Sequence, residues 1–168
     1  MTKLVQKFLR KKRFYFSLAI LGFFVYSYKT LELRLSDADL KEMLSNNSYG
    51  YQANISYLDK AYRKIRYVEI GNDSLPLIAF IHGAPSSSNF WESLMTDSTL
   101  LSKAKLLAVD RPGYGYSGFG KAEVSVEKQA ALIASILEQK KHKHETIIAH
   151  GSSYGGTVVA RLAMDYPE

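Results

Sequence analysis

Ser153 stands in Gly151-Ser152-Ser153-Tyr154-Gly155-Gly156, a hydroxyl with a glycine two places to either side. Ahead of it, Thr146-Ile147-Ile148-Ala149 is brief and β-branched, which predicts a short buried strand. Behind it, Val158, Val159, Leu162 and Ala163 recur at helical spacing. A Gly-x-Ser-x-Gly turn between strand and helix forces the serine into a strained backbone conformation and holds its hydroxyl clear of the sheet. Gly151 and Gly155 are needed because a Cβ would clash where strand and helix nearly touch. The helix that follows turns its free N–H groups and positive dipole end toward a developing negative charge. Ser153 is thus the candidate nucleophile, and the backbone N–H of Tyr154 a candidate oxyanion donor.

Two other loops carry residues suited to such a site. In His82-Gly83-Ala84-Pro85-Ser86-Ser87-Ser88, Gly83 allows a sharp turn, and the small Ala84 lets its N–H face an open pocket as a second oxyanion donor. One of Ser86, Ser87 or Ser88 is placed to cap a helix bearing Phe90 and Trp91. The other loop, Asp110-Arg111-Pro112-Gly113-Tyr114-Gly115-Tyr116-Ser117-Gly118, is made rigid by its proline and glycines. Asp110 can be read as catalytic, but an Asp-Arg pair opening a glycine-rich loop favours a structural role.

The elements that must position these loops alternate along the chain. Tyr51 to Leu58 and Arg63 to Gly71 alternate apolar and polar residues, as a half-exposed antiparallel pair does. Leu75 to Ile81 is nearly all apolar, the pattern of a strand buried on both faces. Strand 105–110, helix 124–140, strand 146–150 and helix 154–166 complete a parallel α/β arrangement with right-handed crossovers. In such a sheet the ligand site lies beyond the carboxyl ends of the strands, where all three loops fall.

The net charge of +6 does not indicate nucleic acid. Lys3, Lys7, Arg10, Lys11, Lys12 and Arg13 account for all of it, and the remaining basic and acidic residues balance at 16 each. The absence of cysteine excludes disulfides and thiolate metal sites.

Residues 14–28 follow that basic cluster without a charge and are rich in aromatics. Three readings are open: a signal anchor, a cleaved signal peptide, or a core helix. The anchor is favoured, since no polar face is present and no Ala-x-Ala site follows. The positive-inside rule then keeps residues 1–13 cytoplasmic and sends the rest to the periplasm or cell exterior, anchored or, after cleavage, secreted. Residues 29–50 read as a polar connector with a short helix, Asp37 to Leu44, N-capped by Ser36. Residues 51–168 form the globular domain. Asn46, Asn54 and Asn72 each begin an Asn-x-Ser sequon, a pattern that matters only in a eukaryotic secretory pathway.

Taken together, His82-Gly83-Ala84-Pro85, Asp110-Arg111-Pro112-Gly113-Tyr114-Gly115-Tyr116-Ser117 and Ser153-Tyr154-Gly155-Gly156, ending in Tyr166-Pro167-Glu168, resemble successive landmarks of the α/β-hydrolase superfamily. The resemblance spans roughly residues 50–168 and implies the N-terminal portion of that sheet: antiparallel strands, then parallel strands with crossover helices. It implies a small-molecule ester or amide as substrate, and no metal or organic cofactor. In the His-Gly-x-Pro branch, epoxide hydrolases and haloalkane dehalogenases are expected to carry Asp at the elbow. Serine at 153 points instead to acyl transfer. Ser152 stands where the family usually has His.

The serine needs a histidine base and a carboxylate, which in this fold follow it in the chain. Only fifteen residues follow Ser153, holding Asp165 and Glu168 but no histidine. His82 belongs to the oxyanion loop, His150 to the elbow strand, and His142 and His144 to a basic, solvated connector. The expectation is the first half of a hydrolase, inactive alone, with an apolar sheet edge that a second chain could complete. The alternative is a non-catalytic interaction protein that keeps the scaffold.

Overall fold

The computed structural model describes residues 3–30, 34–60 and 62–167, with side chains from 11 to 27 in the first stretch. The chain forms two compact units, residues 1–32 and 33–168.

The first unit is one helix, α1 (Lys3–Thr30), unbroken where the charged and uncharged segments meet. Phe14, Tyr15, Phe16, Leu21, Phe23, Phe24 and Tyr26 are all exposed on it. A membrane-spanning helix was expected over 14–28, but among the described residues no helix is long and apolar enough to cross a membrane. The physical reason is length: fifteen uncharged residues between Arg13 and Lys29 rise about 22 Å, against a hydrocarbon core of about 30 Å.

The second unit opens with α2 (Asp37–Ser45), where Ser36 Oγ accepts the N–H of Asp39 at 3.2 Å. Leu40 and Leu44 of α2 are fully buried, so this helix is part of the domain rather than of a connector. Next come β1 (Asn54–Lys60), β2 (Arg63–Ile70) and β3 (Leu77–Ile81). A 3₁₀ turn (Ser88–Trp91) leads into α3 (Glu92–Met95) and α4 (Ser98–Leu101), then β4 (Lys105–Val109), α5 (Val126–Glu138), β5 (Ile147–Gly151) and α6 (Tyr154–Asp165).

The five strands make one mixed sheet in the order β1-β2-β4-β3-β5. The β1–β2 and β2–β4 pairs are antiparallel, while β3 lies parallel between β4 and β5. Pleating sends alternate residues of β3 into two cores. Leu77, Ala79 and Ile81 face α5 and α6, meeting Ala130, Ile133, Ile136, Val158 and Leu162. Phe80 faces the other way, with Leu40, Leu44, Trp91, Met95 and Leu101. The apolar run of β3 is thus covered on both sides.

Local bonding sets the ends of elements. Asn47 brackets Tyr51, donating from Nδ2 to its carbonyl and accepting its N–H, which delays β1 until Asn54. Ser125 Oγ accepts the N–H of Lys128, so α5 begins at Val126 instead of Val124.

Candidate active site

Pairing register sets the three loops level. Ile81 lies opposite Val109 on one side and Gly151 on the other, so His82, Asp110 and Ser152 leave their strands together. Ser152 N–H then donates to the Ile81 carbonyl at 3.1 Å, and the chain turns into α6.

Ser153 sits at that turn with φ 51° and ψ −124°, the only non-glycine residue with positive φ among those described. Such a conformation costs about 1–3 kcal/mol and persists only where the surroundings over-determine it. Here they do. A Cβ at Gly155 would fall on the carbonyl oxygen of Ile81 and lie 2.7 Å from that of His82; one at Gly151 would lie 2.6 Å from the Gly156 nitrogen. Strand and helix therefore meet closer than any side chain permits. Gly156 is different, for its nearest neighbour would be 3.5 Å away. The Ser153 hydroxyl does not cap α6, and the residue is exposed.

Gly83 works by proximity, not by unusual dihedrals: it does not adopt positive φ, and a Cβ there would meet Ser153 Cβ at 3.0 Å and Ser152 O at 3.2 Å. The 82–85 loop thus lies against the candidate nucleophile. Its Ala84–Pro85 peptide bond is cis, and both residues are exposed. Tyr154 is the first residue of α6, so its N–H has no acceptor within the helix.

Two buried side chains hold this arrangement. Arg111 is 1% exposed and donates to His82 O at 2.7 Å, Gly83 O at 3.1 Å and Gln129 Oε1 at 2.9 Å. Its guanidinium also lies 4.5 Å from the Tyr114 ring and 4.7 Å from that of Tyr154. It touches both segments that bear the candidate oxyanion donors. Asp110, fully buried, accepts Ser88 N–H at 2.6 Å and Tyr116 N–H at 2.9 Å, and lies 3.5 Å from Arg66 Nη1. The 3₁₀ turn is therefore capped by Asp110 from a distant loop; Ser87 precedes it without a capping bond. Arg66, also fully buried, reaches Asp37 at 2.9 Å and so ties α2 to the same cluster.

The histidines are committed elsewhere. His82 Nε2 accepts the Arg111 N–H at 3.0 Å, so Nδ1 carries the proton and donates to Gly83 O at 2.6 Å. Burial, with Arg111 nearby, pushes its pKa down to about 4, which keeps it neutral. His144, expected in solvent, is buried at the other end of the sheet with Nδ1 2.8 Å from Leu75 O. The ring of His150 packs edge-on to Phe80 and Trp91, and His142 is exposed.

Sequence reading passed over Arg66 and Gln129. Gln129 had left a sign: it shares the buried stripe of α5 with Ile133 and Ile136, a polar residue at a core position.

The fold and the elbow define a hydrolase scaffold, and the chain belongs to the alpha/beta hydrolase fold family, whose profile matches residues 76–168. Among curated proteins it is 29% identical over 107 residues to epoxide hydrolase 1 of Caenorhabditis elegans, covering 62% of this chain and 26% of that protein. It is 31% identical over 94 residues to the pimeloyl-[acyl-carrier protein] methyl ester esterase of Aeromonas hydrophila, covering 55% of this chain and 34% of that protein. The chain therefore spans about a quarter to a third of these relatives. Among solved structures it resembles a bacterial membrane phospholipase A (TM-score 0.62, 21% identity, 96% of this chain and 48% of that one). It also resembles a haloalkane dehalogenase loop variant from Bradyrhizobium elkanii (TM-score 0.58, 22% identity, 68% and 37%). At that identity the structures speak to fold alone.

Proposed function

We propose that the protein is a serine hydrolase acting on an ester or amide through an acyl-enzyme on Ser153. The observation that carries this reading is the strained backbone of an exposed Ser153, pressed against Gly83 at the head of α6. Ser153 Oγ attacks the substrate carbonyl, and the N–H groups of Ala84 and Tyr154 stabilise the oxyanion. Water then releases the acyl group. The base and its orienting carboxylate come from residues outside these 168, on sequence that also pairs with the free edge of β5. No metal or organic cofactor takes part.

The test uses a fluorophosphonate probe and a panel of p-nitrophenyl esters and aminoacyl anilides on the complete protein. Labelling at Ser153 and turnover, both lost in Ser153→Ala, is the expected result. Undiminished turnover in Ser153→Ala would end this reading. The 168-residue chain alone is expected to label far more slowly.

A second reading, a non-catalytic scaffold, draws on the commitment of both His82 ring nitrogens and the burial of His144 away from the elbow. The coding sequence downstream separates the two. An open frame carrying a later Asp and His favours the enzyme, and a clean stop favours the scaffold.

We also propose that α1 holds the domain at a membrane, with its basic N-terminal end cytoplasmic and the domain on the far side. Cleavage after α1 would release the domain to the same side.

A further inference from the structure

We propose that Asn46, Asn54 and Asn72 are acceptors for N-linked oligosaccharide, and that they place the glycans at the end of the domain opposite Ser153. This rests on the extracytoplasmic reading of the domain given above. Three of the chain's five asparagines begin an Asn-x-Ser tripeptide, none with proline between.

The structure divides the five by use. Asn47 is half-buried and spends its side chain on Leu44 O, Tyr51 O, and the N–H groups of Tyr49 and Tyr51. Asn89 bonds Ser87 beside the elbow loops. Neither begins a sequon. Asn46, Asn54 and Asn72 are all exposed, and the side-chain bonds that Asn54 and Asn72 make stay within their own tripeptides. Asn72 Oδ1 accepts Ser74 N–H at 2.9 Å, which engages none of the Nδ2 hydrogens.

Their placement is equally consistent. Asn54 is paired with Glu69, and Asn72 follows Ile70, which is paired with Leu106 at the start of β4. Ser153 lies past the carboxyl ends of β3, β4 and β5, at the far end of the same strands. Asn46 caps the C-terminus of α2, whose first residue, Asp37, holds Arg66 beside Asp110. Nine residues of helix separate Asn46 from Asp37 by about 13 Å along α2, and its neighbour Asn47 bonds Tyr51, three residues before Asn54. Glycans on all three sites leave the mouth of the catalytic loops open.

The co-reactant is an oligosaccharide carried on a polyprenyl diphosphate. The asparagine Nδ2 forms a bond to C1 of the reducing sugar and gives up one proton. The C1–O bond breaks, and the lipid diphosphate leaves with the electron pair.

The experiment translates the full chain with endoplasmic-reticulum microsomes, followed by added protease and by peptide N-glycosidase. The expected result is a protease-protected domain running as three steps above the unmodified chain and collapsing to one band on deglycosylation. Each of Asn46→Gln, Asn54→Gln and Asn72→Gln removes one step, as do Ser48→Ala, Ser56→Ala and Ser74→Ala. A protected domain with no glycosidase-sensitive shift overturns the acceptor sites and leaves the orientation standing. A protease-sensitive, unshifted domain overturns both.

Discussion

Arg111 donates to the carbonyl of Gly83 at 3.1 Å, while the same guanidinium lies 4.7 Å from the ring of Tyr154. One buried cation therefore spans the two segments that carry the candidate oxyanion donors. Arg111→Met leaves the carbonyls of His82 and Gly83 and the Gln129 amide oxygen without this donor. The expected loss is about 3 kcal/mol or more, since each orphaned buried acceptor costs roughly 1–3 kcal/mol. Arg111→Lys should recover only part, because an ammonium lacks the planar fork. Urea midpoints of the three proteins check this; equal midpoints for Met and arginine would remove the latch.

The elbow glycines differ in what surrounds them, and substitution should separate them. Gly155→Ala drives a Cβ into the Ile81 carbonyl, which belongs to the backbone of a central strand and has no room to move. A loss of roughly 3 kcal/mol, at the upper end for overpacking, is expected, with the strand–helix junction disrupted. Gly156→Ala meets nothing closer than 3.5 Å within α6 and should stabilise by about 0.5–1 kcal/mol. Thermal unfolding of the pair reads the opposite signs directly.

Asp110 is the only fully buried carboxylate facing the fully buried Arg66 among the described residues; Asp37, the other partner, is 44% exposed. Asp110→Asn removes a charge that cannot be replaced by water and turns an acceptor of two backbone N–H groups into a mixed donor. The expected cost is about 3–5 kcal/mol. Asp37→Asn, where solvent can compensate, should cost about 1 kcal/mol or less. Equal losses in chemical denaturation would contradict this assignment of roles.

Much of this scaffold was legible in the sequence because the signals were local. The apolar run of β3, the stripe of α6 and the Ser36 cap each declare themselves within a few residues. What stayed hidden depends on partners far away in the chain. Ser86, Ser87 and Ser88 all look like caps, yet the cap of the 3₁₀ turn is Asp110, twenty-two residues after Ser88. Arg66 sits in a strand whose alternation does not foretell two carboxylate partners. Helices α3 and α4, four residues each, are too short to show a period. The exposure of Ser153 and its pressure on Gly83 could be anticipated only from the motif, because no local propensity favours that backbone.

His82 gives the domain a pH dependence. Its folded pKa, about 4, lies below the ordinary 6.5 because the buried ring resists charge. Between those values the unfolded chain binds the proton more readily, so stability falls as pH is lowered from about 6.5 toward 4 and then levels. The contribution lost is on the order of 3 kcal/mol, at 1.36 kcal/mol for each unit of displacement. Denaturation at a series of pH values should show this slope in the wild type. His82→Gln, which cannot titrate, should be less stable at pH 7 and lack that component.

The edge strand β5 shapes how the 168-residue chain behaves in solution. Among the described residues it pairs with β3 on one side only, and Ile148 on it is 50% exposed. Beside it Ile147, Ala149, Val159, Leu162 and Ala163 help line a groove of about 1390 Å³ that includes none of the candidate-site loops. An unpaired, apolar edge next to an apolar groove is a template for strand pairing between molecules. The chain on its own should therefore self-associate at micromolar concentration. Ile148→Lys places a charge on the edge without touching the covered face of β3, so it should shift the population toward monomer. Sedimentation velocity of both proteins decides it: an unchanged distribution would mean that association, if seen, proceeds through the exposed aromatics of α1 instead.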